Sequence, residues 1–318
     1  MARITIPDLY CPLPPALSQH AEDAESGLLD WATRIGLIRD RDTLVLSRNQ
    51  LGHLSGYVHP QASKEEVVIG AAWAAWLYAY DDALVESVSL GSPDDVHRTG
   101  LQARIMAALE DCGEPAFADP LVTAILDIRS AVFRVYPSWD TTAFVRDLRK
   151  YLESNHWEIA DRPRGCPPRL GVYVKMRRHT SAYYPCYRLS AALSRVNLPP
   201  HIWNHVAVKQ LEAMANNYGS WLNDLYSFER ERAEGKSNGL VQSLRQEYGL
   251  DIAEAVARTS AMCRSEIEAY FELKSLLPAM GLPVTGELQR YLYVLESWMR
   301  GILDWHRMTP RYRPVHPG

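Results

Sequence analysis

Asn223, Ser227 and Glu231 stand four residues apart in the stretch NDLYSFERE, with Asp224 and Arg230 beside them. On a helix that spacing stacks three oxygen-bearing side chains along one face. Asn, Ser and Glu are hard donors, suited to Mg²⁺ or Mn²⁺ and not to zinc. Mg²⁺ takes only one or two carboxylates and completes its shell with water and substrate phosphates. A sparse donor set of this kind therefore points to a ligand that brings its own phosphates, and Arg230 is placed to offer them a guanidinium. The same nine residues also read as a helix end running into solvent, because ERERAEGK follows directly. The pattern alone does not choose.

A second acidic cluster, Asp81, Asp82 and Glu86 in YDDALVE, ends the uncharged run from Val67 to Tyr80. Trp73, Leu77 and Asp81 share one helical face, so Asp81 extends an apolar stripe; Tyr78, Asp82 and Glu86 form the stripe beside it. A carboxylate on a buried stripe is costly unless positive charge meets it. Near a helix C-terminus the macrodipole opposes it as well. A bound cation offsets both penalties, and so does a helix that simply surfaces at Asp81. Glu86, five residues past Asp81, points away from it on a regular helix, which leaves Asp81 the better ligand.

The elements that must position these groups are helices. Period-3.6 patterning runs through the 318 residues, with no convincing alternating strand. It predicts helices near 21–36, 64–86, 94–112, 118–135, 139–160, 170–195 with a break, 202–233, 238–248, 250–277 and 284–305. Gly and Pro breakers separate them. The Pro-rich ends, 1–20 and 306–318, read as extended tails on one all-helical domain. With 34 basic and 38 acidic residues the net charge is -4, which gives no reason to expect nucleic acid or an anionic membrane as partner. Five scattered cysteines without a CxxC pair point to a reducing cytoplasm. No secretory signal opens the chain, and the Val67–Tyr80 run is too short to span a bilayer. Lys175, Arg178 and Arg188 read as surface charges, and His53, His59 and His156, lacking metal-ligand spacing, as structural residues.

Together the two clusters resemble the metal motifs of class I terpene synthases of bacterial type: Asp81-Asp82 with Glu86 the aspartate-rich motif, NDLYSFERE the Asn-Ser-Glu motif. The resemblance spans nearly the whole chain and implies an all-α bundle with a central active-site cavity. It implies Asp81, Asn223, Ser227 and Glu231 as ligands of Mg²⁺, three ions per active site, with Mn²⁺ the alternative ion. It implies a diphosphate-sensing Arg177 in YVKMRRHTSAYYP, with Arg178 the fallback, and diphosphate contacts from Arg230 and from a closing Arg311-Tyr312 pair. Glu158 falls where the family has an acid supporting the sensor. Pro185 has no N–H for the carbonyl four residues back, that of Ser181; the resemblance makes Ser181 the effector carbonyl and Thr180 the linker before it, although the family often has Gly there. Asp82 is expected to pair with Arg311 or Arg177 on closure, and Trp305 to line the pocket.

The implied reaction is Mg²⁺-dependent ionisation and cyclisation of a linear prenyl diphosphate with release of diphosphate, a lyase activity. Farnesyl diphosphate is the expected substrate, geranylgeranyl diphosphate the alternative and geranyl diphosphate a weaker one. A chain-elongating prenyltransferase would carry two DDxxD motifs, and NDLYSFERE is not one. A non-catalytic all-helical interaction protein is the alternative of another class, and the resemblance also allows a homodimer.

Overall fold

The computed structural model describes residues 5–38, 48–85, 88–89, 91–111, 119–236 and 238–312. Every regular element among them is helical. They are α1 (Ala21–Ile35), α2 (Leu51–Val58), α3 (Lys64–Leu84), α4 (Pro93–Asp111), α5 (Pro120–Val135), α6 (Thr142–Asp161), α7 (Leu170–Thr180), α8 (Tyr183–Leu193), the single turn α9 (Pro200–Trp203), α10 (Val206–Ala233), α11 (Leu240–Tyr248), α12 (Ile252–Leu276) and α13 (Gly286–Met308). Glu86 lies outside the described residues. None of these helices is long and apolar enough to cross a membrane.

Helix α3 occupies the centre. Ser63 and Glu66 start it with a reciprocal capping box. Its uncharged run is buried nearly all round, as a helix without a polar face must be, and it packs against α1, α2 and α5. The other long wall is α10, flanked by α12 and α13.

The periodicity gives no sign of α2, because Gly52 and Gly56 lower its intrinsic helix propensity. Packing forms it. A Cβ on Gly52 would stand 2.2 Å from the Glu25 backbone nitrogen, and one on Gly56 2.7 Å from the Ala21 Cβ. From the other side, a Cβ on Gly301 of α13 would meet the Tyr57 backbone at 2.6 Å. Three missing side chains thus set α2 backbone-close between α1 and α13.

The expected break in 170–195 falls at Ser181-Ala182, where Ala182 takes a left-handed φ of 59°, a conformation costing about 1 kcal/mol or more for a residue with a Cβ. Pro185 sits after the break, in the first turn of α8, where a missing N–H is tolerated. The surface reading of Arg188 is wrong. It is buried, and its Nε donates to Asp147 of α6 at 2.7 Å. Its two terminal nitrogens donate to Glu212 of α10 at 2.7 and 2.8 Å, one of them also to the Tyr291 hydroxyl of α13. The charge is buried because three other helices bring it acids and a phenol.

At the chain ends, residues 5–20 run without helix, fastened where Tyr218 donates to the Tyr10 carbonyl and Arg300 to that of Leu13. The C-terminal extension departs from expectation: α13 continues to Met308, and Pro310–Tyr312 forms a 3-10 turn in place of an extended tail. Residues 313–318 lie outside the described chain.

Candidate active site

A cavity of about 220 Å³ lies among these helices. Along α3 it is lined by Gly70, Trp73, Ala74, Leu77, Tyr78 and Asp81, alternate three- and four-residue steps that keep to one helical face. From Gly70 to Asp81 that face rises roughly 16 Å. The lower part is largely apolar, with Leu54 and Val58 of α2, Cys186 of α8, and Trp298 and Ile302 of α13. The upper part carries Asp81, Glu158, Arg177, Asn223, Arg230 and Glu231, with Arg311 and Tyr312 from the 3-10 turn. Both acidic stretches of the sequence therefore reach one space from opposite helices.

Arg177 is fixed by α10. Its Nε donates to Asp224 Oδ1 at 3.0 Å and its Nη2 to Asn223 Oδ1 at 2.9 Å. Asp224 is buried and also accepts from the Tyr173 hydroxyl at 2.6 Å and the Leu240 N–H at 3.2 Å. Nothing in its sequence spacing marks Asp224 for a role. It is the buried acid that orients the guanidinium. Arg178 is half-buried and not on the surface as expected: its Nε donates to Asn217 Oδ1 at 2.9 Å, and it does not line the cavity. Lys175 is exposed.

The Asn223 amide is held on both sides. While Oδ1 accepts from Arg177, Nδ2 donates to the Tyr312 hydroxyl at 3.0 Å and lies 3.4 Å from His306 Nε2. His306 Nδ1 is 2.6 Å from the Ile302 carbonyl, which can only accept, so Nδ1 carries the proton and Nε2 is free to accept. Tyr312 stacks on His306 at 5.1 Å. Arg311 donates to Asn49 Oδ1 at 3.0 Å, lies 4.3 Å from the Tyr78 ring centroid and comes within 3.9 Å of half-exposed Asp82. The Arg-Tyr turn thus touches both acidic helices.

Glu231 lines the upper cavity, and its carboxyl is pushed up to about 7, first by burial and then by neighbouring Asp224. A bound cation offsets both effects, by favouring the charged carboxylate inside the protein and by screening it from Asp224. Among the described residues no cluster of three or more His, Cys, Asp or Glu forms a metal site. Asp81 and Glu231 with the Asn223 amide instead offer the one or two carboxylates and neutral oxygen that Mg²⁺ accepts when phosphates complete its shell, so the donor set fits the ion. Ser227 is buried, does not line the cavity, and donates to the Asn223 carbonyl at 2.7 Å.

Thr180 and Ser181 line the cavity at the helix break, and the Ser181 hydroxyl donates to Asn216 Oδ1 at 2.9 Å. Trp305, expected in the pocket, is not there. It is fully buried, its indole N–H donates to the Asn49 and Gln50 carbonyls, and Tyr78, His306 and Tyr312 pack on it. Trp298, seven residues earlier on the same face, takes the position. Arg162, Lys236 and Asn238 also line the cavity. They lie in turns after α6 and α10, where no periodic signal marks them; Arg162 braces the end of α3 through the Val85 and Val88 carbonyls.

Residues 72–269, more than half of the chain, match the family described as terpene synthase family 2, C-terminal metal binding. The chain is 30% identical to (+)-T-muurolol synthase ((2E,6E)-farnesyl diphosphate cyclizing) of Roseiflexus castenholzii, over 97% of this chain and 94% of that one. It is 29% identical to pentalenene synthase of Streptomyces exfoliatus, over 96% and 92%. In fold it is similar to the linalool/nerolidol synthase of Streptomyces clavuligerus, with a TM-score of 0.83, 23% identity and coverage of 95% and 99%. The helices, the two-part cavity and these matches agree: the chain belongs to the terpene synthase family.

Proposed function

We propose that the protein ionises (2E,6E)-farnesyl diphosphate and cyclises the resulting cation to a sesquiterpene, releasing diphosphate. One observation carries this reading: an acid- and arginine-lined upper cavity continues directly into a largely apolar one, the shape and chemistry of a diphosphate with an isoprenoid tail. Relatives named as farnesyl diphosphate cyclases support the chain length.

Asp81, Asn223 and Glu231 would hold Mg²⁺, which would supply positive charge to the diphosphate oxygens, while Ser227, off the cavity and bonded to the Asn223 carbonyl, would have to turn its hydroxyl to join them. Arg177, Arg230, Arg311 and Tyr312 bind the leaving group. Preorganised donors facing developing charge are worth about 3 kcal/mol each in a dry site. Asp82, 3.9 Å away, helps Asn49 hold Arg311, and the Ser181 carbonyl, at the cavity-lining break beside Thr180, would act on the departing diphosphate. Below, the apolar walls keep water from the cation, and the faces of Trp73, Tyr78 and Trp298 attract it by roughly 0.5–2 kcal/mol each.

The test is incubation of the purified protein with C10, C15 and C20 prenyl diphosphates, with and without Mg²⁺. Cyclic C15 products that require Mg²⁺ are expected. No terpene from any of the three would refute the cyclase, and turnover of the C20 substrate alone would refute the chain length.

A further inference from the structure

Two cavities meet back to back at the end of α2. Val58 and His59 line the floor of the 220 Å³ cavity and also a second cavity of about 540 Å³. The two differ in chemistry. The second is walled by Glu66, Arg195, Lys274, Arg290 and Glu296, and it reaches solvent at exposed Gln61 and Arg290. Its polar walls suit water and not an isoprenoid tail.

The partition is chemically mute. His59 Nδ1 lies 3.1 Å from the Ser55 carbonyl, which can only accept, so Nδ1 carries the proton and Nε2 accepts. The Ser190 hydroxyl, 2.8 Å away, donates to Nε2, and its oxygen in turn accepts from the Trp298 indole N–H at 2.8 Å. The Ser55 hydroxyl is spent on the Val67 carbonyl at 2.7 Å. Both ring nitrogens are therefore occupied within the wall, and neither offers a proton or a lone pair to the substrate cavity. Burial keeps the imidazole neutral, holding it down to about 4. Gly70 closes the remaining gap, since a Cβ there would stand 2.8 Å from the ring.

We propose that His59 is a positioning residue that seals the cyclisation cavity against the water of the second cavity, and so decides how the final cation is quenched. When the cation loses a proton, a C–H pair becomes the new C=C bond and the proton passes to the released diphosphate. When water enters, its oxygen lone pair forms a C–O bond to the cationic carbon, and the resulting oxonium gives up one proton to the same acceptor. The seal favours the first outcome over the second.

The proposal rests on the cyclase reading, and the experiment separates the two. Native protein and the variants His59→Ala, Val58→Ala and Leu54→Ala are incubated with farnesyl diphosphate and Mg²⁺ in ¹⁸O-labelled water. The ratio of labelled alcohol to hydrocarbon is then read by mass spectrometry. His59→Ala is expected to raise that ratio severalfold, and Val58→Ala, which thins the same wall without touching the hydrogen bonds, to raise it less. Leu54 lines only the substrate cavity, so Leu54→Ala adds volume without opening the partition and leaves the ratio near native. The seal is overturned if Leu54→Ala raises the ratio as much as Val58→Ala, if both wall variants keep the native ratio, or if the native product is already wholly hydroxylated. A native protein that makes no terpene overturns the cyclase itself.

Discussion

Lowering the pH should destabilise this protein through His59 by an amount that can be calculated. The imidazole is held at about 4, against an ordinary 6.5, by burial; its bond to the Ser55 carbonyl and the charge of Glu66 oppose the shift only in part. Above 6.5 the ring is neutral whether the chain is folded or not, and His59 adds no pH dependence. Between 6.5 and about 4 the unfolded chain takes up a proton that the folded one refuses, so stability falls as pH falls. At about 1.4 kcal/mol per tenfold difference in proton affinity, the full effect is about 3.4 kcal/mol. About 2 kcal/mol of it is already lost at about pH 5. Urea unfolding followed by tryptophan fluorescence, for native protein and His59→Gln at about pH 7.5 and about pH 5, isolates this contribution, because every other titrating group is common to both. Native protein should lose about 2 kcal/mol more than the variant over that interval. Equal losses would show that His59 is not the buried neutral group described here.

Arg177→Ala should lower turnover by roughly 10²–10³, and Arg178→Ala, off the cavity, by far less; steady-state rates in the reverse order would move the sensor by one residue. Glu212→Leu leaves the buried guanidinium of Arg188 with Asp147 as its remaining acid and both terminal nitrogens short of an acceptor; it should cost roughly 3 kcal/mol in urea unfolding, so a near-native midpoint would remove that network from the core. Gly70→Ala places a Cβ 2.3 Å from Ser55 Oγ and should cost about 1–3 kcal/mol; unchanged thermal stability would mean that α2 and α3 have room to separate.

Most of the bundle was legible because period-3.6 patterning and Gly/Pro breakers mark it, and some helices also carry their own start signals. The Ser63/Glu66 and Asp251/Glu254 capping boxes open α3 and α12 within two residues of the expected starts. The gathering of Asp81, Arg177, Asn223, Glu231 and Arg311 around one space was also foreseen, Asp81, Asn223 and Glu231 from their helical faces and Arg177 and Arg311 from the family resemblance. What escaped depends on how helices meet. Periodicity puts Trp298 and Trp305 on one stripe, and only the folded-back turn at Pro310–Tyr312 decides which of them is covered. Arg188 reads as a surface charge until Asp147 and Glu212 are brought to it, and Asp224 reads as a bystander until α7 packs against α10. Helix α2 escaped because its stability comes from contact and not from its residues' own preference.

That origin of α2 has a consequence for how the enzyme's chemistry can change. Side chains adjust by rotating, but Gly52 and Gly301 meet backbone and Gly56 meets the Cβ of Ala21, and none of these has rotamers to spend. The bottom of the mould against which a reactive chain must fold is therefore stiff, while its rim is built from long, rotatable arginines. Substitutions at the rim change the rate through lost charge but leave the shape of the mould in place. At the three glycines, any side chain displaces a whole helix and recasts the mould, so the shape of the product is written partly in atoms the sequence leaves out.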